Sequence, residues 1–182
     1  MRNALGMIET MSIPKGIYSG DAMLKAAEVD LVYSQAACAG KYVVIVSGEV
    51  AAVRSSVEAG KAAAGSALVD SFVIPGIHEQ VIPAIGAAAE IEAVNAVGVM
   101  ETYSMCAAIQ AADAAVKTAA VDLIEVRLGR GLGGKAFVVL TGDVAAVESA
   151  VKAGESLEEV QGLMGGSVVI PSPHKNIVDA IF

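Results

Sequence analysis

Two thiols and two imidazoles, Cys38, Cys106, His78 and His174, are the side chains of this chain with the most chemistry to offer. A cysteine is a soft metal ligand and, as thiolate, a nucleophile. One cysteine alone is a poor metal signal, and its plainest reading is a small buried residue. Cys38 stands among small residues, in Ala36-Ala37-Cys38-Ala39-Gly40-Lys41. Cys106 stands at the start of an expected helix, in Ser104-Met105-Cys106-Ala107-Ala108, and reads as packing. Both histidines follow a strand-ending Pro-x-x, which suits a structural or edge role better than catalysis. No paired carboxylates, His–Glu metal spacing or Ser/His/Asp set stands out. Gly129-x-Gly131-x-Gly133-Gly134 resembles a phosphate loop, but Ala136 follows Lys135 where that loop needs Ser or Thr.

The elements that must position these residues are written twice. Gly6-Met7-Ile8-Glu9-Thr10 recurs as Gly98-Val99-Met100-Glu101-Thr102, and Asp21-Ala22-Met23-Leu24-Lys25 as Asp113-Ala114-Ala115-Val116-Lys117. Val29-Asp30-Leu31 recurs as Val121-Asp122-Leu123, Gly40-Lys41 as Gly134-Lys135, and Val50-Ala51-Ala52-Val53 unchanged as Val144-Ala145-Ala146-Val147. Val73-Ile74-Pro75-x-x-His78 matches Val169-Ile170-Pro171-x-x-His174. The order never changes, so duplication is the plain explanation. The expected domains are 1–88 and 96–182, with a linker at 89–95 and a longer segment, Glu155 to Gly166, before the last strand of the second copy.

Each copy reads β-α-β-β-α-β and then a short helix. In the first, β runs are expected at Leu5 to Thr10, Leu31 to Ala36, Tyr42 to Ser47 and Leu68 to Ile74. A helix is expected around Gly20 to Val29, and a second opens at Ser47 or Gly48, where Val50, Val53 and Val57 form one apolar stripe. A short helix with Val81, Ile82 and Ile85 apolar follows His78. This is the α+β, ferredoxin-like split βαβ arrangement, with antiparallel sheets and helices on one face.

Composition narrows the function. A net charge of −8 is wrong for tracking a phosphate backbone, so nucleic acid is not an expected partner. Aromatics are 4% of the chain and Trp is absent, which leaves little surface for base stacking. Mean hydropathy is +0.63, yet no uncharged run reaches the roughly 18 residues of a membrane span. Surface buried against other copies accounts for that hydropathy. The opening residues lack the apolar stretch of a signal peptide, and two cysteines make no disulfide framework, so a cytoplasmic location is expected.

Taken as a set, these repeated motifs resemble the bacterial microcompartment shell proteins, across nearly the whole chain and in both copies. The resemblance implies a structural protein and not an enzyme: a homotrimer whose six domains make a pseudo-hexameric tile. Tiles of this kind join other shell proteins edge to edge around encapsulated, in some cases redox, enzymes. It implies that Lys25 and Lys117 lie at tile edges with His78 and His174. The arginine common in the family's Ile-Pro-x-x-His turn is missing, since Gly76-Ile77 and Ser172-Pro173 stand there. It further implies that the segments between second and third strands line a central pore. Here these are Ser34, Gln35, Ala36, Ala37, Cys38, Ala39 and Gly40, and Leu128, Gly129, Arg130, Gly131, Leu132 and Gly133.

On that implication, three Cys38 thiols meet at the trimer axis. Three thiolates suit three corners of a [4Fe–4S] cluster, the fourth iron taking an external ligand. The family's propanediol-utilisation branch carries a cluster on a cysteine in this loop, although here the loop reads Ala-Cys-Ala-Gly-Lys and lacks that branch's proline. Electron transfer across the shell and cluster delivery to cargo are the expected roles. The alternatives are a metabolite pore without a cluster, with Arg130 attracting anions, and a soluble small-molecule-binding protein of the same fold.

Overall fold

The computed structural model describes residues 4–129 and 131–181, the last without its side chain. The first repeat runs β1 (Ala4–Thr10), α1 (Ile13–Ala26), β2 (Asp30–Ala37), β3 (Lys41–Gly48), α2 (Val50–Ala64), β4 (Leu68–Pro75) and α3 (Val81–Ile85). The second runs β5 (Ala96–Thr102), α4 (Met105–Thr118), β6 (Val121–Leu128), β7 (Ala136–Gly142), α5 (Val144–Ser156), β8 (Met164–Ile170) and α6 (Lys175–Ile181). The sheets are antiparallel and four-stranded, ordered β2-β3-β1-β4 and β6-β7-β5-β8. The α+β, split βαβ expectation therefore holds in both copies.

The helices cover one face of each sheet, and strand alternation explains why. Ile8, Val44 and Val46 point to the side where Met23 of α1 and Val53 and Val57 of α2 close a fully apolar core. Gly6 shares that face because nothing larger fits: a Cβ there would lie 2.6 Å from Val53 Cγ1 and from Val57 Cγ2. Met7, Val43 and Ile45, on the opposite face, are buried too, so β1 and β3 read as near-continuous apolar runs.

Several boundaries differ from expectation: α1 ends at Ala26 rather than Val29, and β8 begins at Met164, inside the segment expected from Glu155 to Gly166 before it. Helix α1 starts at Ile13, seven residues before Gly20. The Ser12 hydroxyl accepts from the Lys15 N–H at 3.4 Å, and Pro14 sits in the first turn, where its missing N–H costs nothing. Ser104 caps α4 in the same way, accepting from the Ala107 N–H at 3.3 Å. Helix α2 starts at Val50, with Glu49 at its N-cap, rather than at Ser47 or Gly48. Strand β2 runs on through Ala37, so Ser34 to Ala37 are strand and only Cys38 to Gly40 form the turn.

The chain divides into two compact units that do not coincide with the repeats. One runs to Glu79 and takes in Gly129–Gly134; the other holds Gln80–Leu128 and continues from Lys135. Segment 89–95, expected as a linker, supplies Ile91 and Val94 to a cluster with Val97, Ile124 and Val139.

Candidate functional site

Cys38 opens the turn between β2 and β3, at the end of the first sheet. Gly40, at φ +78°, makes the return into β3 in the left-handed region that glycine tolerates. The Cys38 N–H donates to the Gly129 carbonyl at 2.8 Å, and the Gly131 N–H donates to Cys38 Sγ at 3.2 Å. The glycine-rich segment after β6 is thus a neighbour of the cysteine turn within one compact unit. The thiol is half-buried and has a backbone donor aimed at its sulfur. Cys106, in contrast, is 3% exposed inside α4.

The other described residues expected to line a pore lie on β2, on this turn, at the end of β6 and on the segment after it. Ser34 Oγ and Tyr42 Oη lie 3.0 Å apart, tying β2 to β3 one step back from the turn. Gln35, Ala36 and Ala39 are exposed, as is Leu132's neighbour Gly131, whereas Leu128 and Gly129 are buried. Arg130 lies outside the described residues. Among the described residues, no group of three His, Cys, Asp or Glu side chains converges to hold a metal ion within one chain.

The repeated Glu and the repeated Lys, which sequence reasoning treated separately, form the site's main ion pairs. Glu9 Oε1 lies 2.5 Å from Lys41 Nζ, and Glu101 Oε1 lies 2.9 Å from Lys135 Nζ. Register explains the meeting: Glu9 faces Val43 across the β1–β3 ladder, so Lys41 is the diagonal neighbour on the same sheet face. The first pair is buried, with Glu9 1% exposed, while the members of the second are 41% and 43% exposed. Among the described residues, no hydrogen bond of normal geometry reaches Glu9 Oε1, and the Lys41 charge balances it. In the second pair, the hydrogen bond to Glu101, and then its charge, hold Lys135 above its ordinary pKa. These pairs anchor each turn to the central strand of its sheet.

Lys25 and Lys117, the expected edge lysines, occupy the last turns of α1 and α4. Each pairs with the aspartate four residues back on its own helix, Lys25 with Asp21 at 2.7 Å and Lys117 with Asp113 at 2.5 Å. His174 is exposed, and its Nδ1 accepts from the Asn176 N–H at 3.2 Å, while its carbonyl accepts from the Ile177 and Val178 N–H groups. It therefore shapes the start of α6. His78 is half-buried at the corresponding place before α3.

The two copies differ most in what their first helices expose. Met105, Cys106, Ala107, Ile109 and Val116 of α4 are buried within the chain. Their counterparts Ile13, Pro14, Lys15, Ile17 and Leu24 on α1 are exposed: Ile17 is 55% exposed and Ile109 0%. Met11 and Tyr18 extend the open apolar surface. Equivalent residues do two different jobs, and the sequence marks the difference only at Pro14 and Lys15, where α4 has Cys106 and Ala107.

Comparison with known proteins follows this geometry closely. Residues 4–77 and 96–173 both match the family described as BMC domain. The chain is 42% identical over 177 residues to the bacterial microcompartment shell protein PduT of Citrobacter freundii, covering 97% of this chain and 96% of that one. It is 34% identical over 192 residues to the carboxysome assembly protein CcmO of a Synechococcus species, covering 98% of this chain and 68% of that one. Among solved structures, a microcompartment protein from Desulfitobacterium hafniense superposes with a TM-score of 0.93 at 49% identity, covering 98% of this chain and 99% of that one.

Proposed function

The chain belongs to the BMC-domain family of bacterial microcompartment shell proteins, in tandem form, and on that premise we propose that three copies close into one tile of the shell with Cys38 of each at the tile's centre. Its place is the shell of a microcompartment in the cytoplasm. The observation that carries the ring is the open face of α1 set against the buried face of α4. Exposed Ile13, Ile17, Tyr18 and Leu24 form an apolar surface of the sort that subunit interfaces cover. A contact between two different surfaces of one chain is head-to-tail, and it closes into a ring when the rotation allows. The exposed Lys25 and Lys117 then lie at outer edges, where a long apolar stem covers a flat contact and the ammonium reaches backbone carbonyls.

The residues around Cys38 fit one corner of an iron–sulfur cluster. The sulfur is accessible, the Gly131 N–H already donates to it, and the flanking alanines leave room for close approach. One chain supplies one such thiol, so the ring is what assembles the ligand set. A bound cluster would supply one-electron chemistry at the centre of the shell wall. The chain's own part is to hold the thiolate, to solvate its charge through the Gly131 amide, and to fix the turn through Gly129 and Lys41.

Anaerobic reconstitution of wild type and Cys38→Ala tests this reading, together with native mass spectrometry of each. A trimer with iron, sulfide and charge-transfer absorbance only in wild type is the expected result. Equal iron and sulfide in both proteins would refute the Cys38 assignment, and a monodisperse monomer would refute the tile.

A further inference from the structure

The last helices of the two repeats follow the same motif but start differently. In the first repeat, Gln80 is the N-cap residue of α3, and its Oε1 accepts from the Leu123 N–H of β6 at 2.9 Å. Val81, Ala84 and Ile85 then bury α3 in its unit. In the second repeat the helix begins two positions earlier, so a histidine falls at its head. The His174 carbonyl accepts from the Ile177 and Val178 N–H groups at 2.9 and 3.2 Å, and Nδ1 accepts from the Asn176 N–H at 3.2 Å. His174 does for α6 what the hydroxyls of Ser12 and Ser104 do for α1 and α4. Those hydroxyls accept at every pH. An imidazole does not: only the neutral ring, with its proton on Nε2, offers Nδ1 as an acceptor. Protonation sets a donor against a donor and puts positive charge at the positive end of the helix.

Little else holds the first turn of α6. A helix of seven residues is too short to be stable by itself. Among its described side chains only Val178 is half-buried, in a groove of about 530 Å³ that Val94, Val144 and Pro171 also line. The surrounding charges do not compensate a protonated ring. The first turn of α6 holds no acidic residue and opens on Lys175, and Asp179 stands in the second turn. Asp143, at the N-cap of α5, borders the same groove as Lys175, which offsets it. Glu101, Glu125 and Arg127 of the sheet border Ala180, at the far end of the helix. Among the described residues, no carboxylate pairs with the His174 ring.

We infer that His174 is an acid-sensitive latch on the C-terminal helix: the neutral ring closes the first turn of α6, and the charged ring releases it. Histidine ordinarily changes charge near pH 6.5, so the latch is closed above that range and opens as pH falls through it. Losing the cap bond and gaining the adverse charge together raise the opening equilibrium of α6 by about tenfold. Release uncovers the apolar wall of the groove, Val94, Val144 and Pro171. The latch lies within one chain, so it stands whether or not copies close into a ring.

Hydrogen exchange of the C-terminal peptide tests the latch in full-length wild type, His174→Asn and His174→Ala, at about pH 8 and about pH 5. Protection is taken relative to an unstructured peptide of the same sequence at the same pH, which cancels the intrinsic pH dependence of exchange. Asparagine caps a helix without titrating, so His174→Asn carries every pH effect of His78 and the carboxylates but not that of the latch. At the higher pH, wild type and His174→Asn are equally protected and His174→Ala is not. At the lower pH, wild type loses protection by about tenfold and falls to the level of His174→Ala, while His174→Asn keeps its own. Nitrogen NMR of the imidazoles gives the Nε2-protonated tautomer for His174 at the higher pH, its signals being those absent from His174→Asn. Wild-type protection that does not change with pH, or that falls equally in His174→Asn, would overturn the latch. So would an Nδ1-protonated tautomer at the higher pH.

Discussion

Replacing Lys41 by Met removes the charge paired with a carboxylate 1% exposed to solvent, while leaving the apolar stem of the side chain in place. At 2.5 Å the attraction between the two charges is about 7 kcal/mol at an effective dielectric near 20. Most of that offsets the desolvation of both groups, so the net value of the pair is small. The cost of breaking it from one side is not small, because Glu9 then stays buried with no counter-charge. Buried pairs broken in this way lose about 3–5 kcal/mol. Lys41 is 17% exposed, so some water reaches the site and the lower end, about 3 kcal/mol, is expected. Urea unfolding followed by far-UV circular dichroism measures it, with the first unit unfolding at lower urea than the second. Two further variants make the reasoning refutable. Lys135→Met breaks the repeat-equivalent pair where both partners are about four-tenths exposed, and it shifts the transition far less. Glu9→Gln with Lys41→Met costs less than Lys41→Met alone, because no charge is left stranded. If Lys41→Met costs no more than Lys135→Met, or if the double variant is the worse of the two, burial is not what makes the Glu9 pair matter.

Lys135 is held above its usual pKa of 10.5 by its hydrogen bond to Glu101 and by that group's charge, so its contribution to stability is fully present below pH 10.5 and fades as pH rises through the raised folded value; the gap in urea midpoint between wild type and Lys135→Met should narrow only as pH is taken above 10.5. Gly6→Ala places a methyl 2.6 Å from two valine methyls, and the repacking costs about 1–3 kcal/mol in urea unfolding. Iodoacetamide modifies the half-buried Cys38 in the native protein and reaches Cys106 only after denaturant is added, as peptide mass mapping will show.

The fold was legible in the sequence because both copies carry the same landmarks, and one copy corrects the noise in the other. The start of α1 was hidden by Gly16 and Gly20, which look like breakers. Their real role is close packing: a Cβ on Gly16 would lie 2.4 Å from Tyr42 Cβ. The Ser12–Pro14 start signal is present in the sequence, and Ser104 repeats its cap. The cysteine turn is legible from its small neighbours, yet spacing does not single out its donor: Gly131 is 93 positions away and one of four glycines in a run that resembles a phosphate loop. The Glu9–Lys41 and Glu101–Lys135 pairs left a signal that was read only in halves, as a repeated Glu and a repeated Lys. Strand register, which sequence spacing does not state, is what joins them. The difference between α1 and α4 left only a faint local signature, Pro14 and Lys15 where α4 has Cys106 and Ala107, because burial by the rest of the chain leaves no mark on the apolar residues the two helices share.

Because the compact units trade segments, the repeats are not interchangeable cassettes. The first unit includes Gly129–Gly134 from the second repeat, and the second unit includes Gln80 and α3 from the first. A recombinant made by joining the front repeat of one relative to the back repeat of another at the Ala96 boundary would therefore split both units between parents. It would pair the cysteine turn with a foreign amide donor, and the Leu123 N–H of β6, which donates to Gln80 Oε1 at 2.9 Å, with a foreign side chain. Chimeras that respect the structure would carry 80–85 with the back repeat and 129–134 with the front one. The inheritable module of this protein is thus discontinuous in sequence, and breakpoints between the repeats should be poorly tolerated even where the two parents align without a gap.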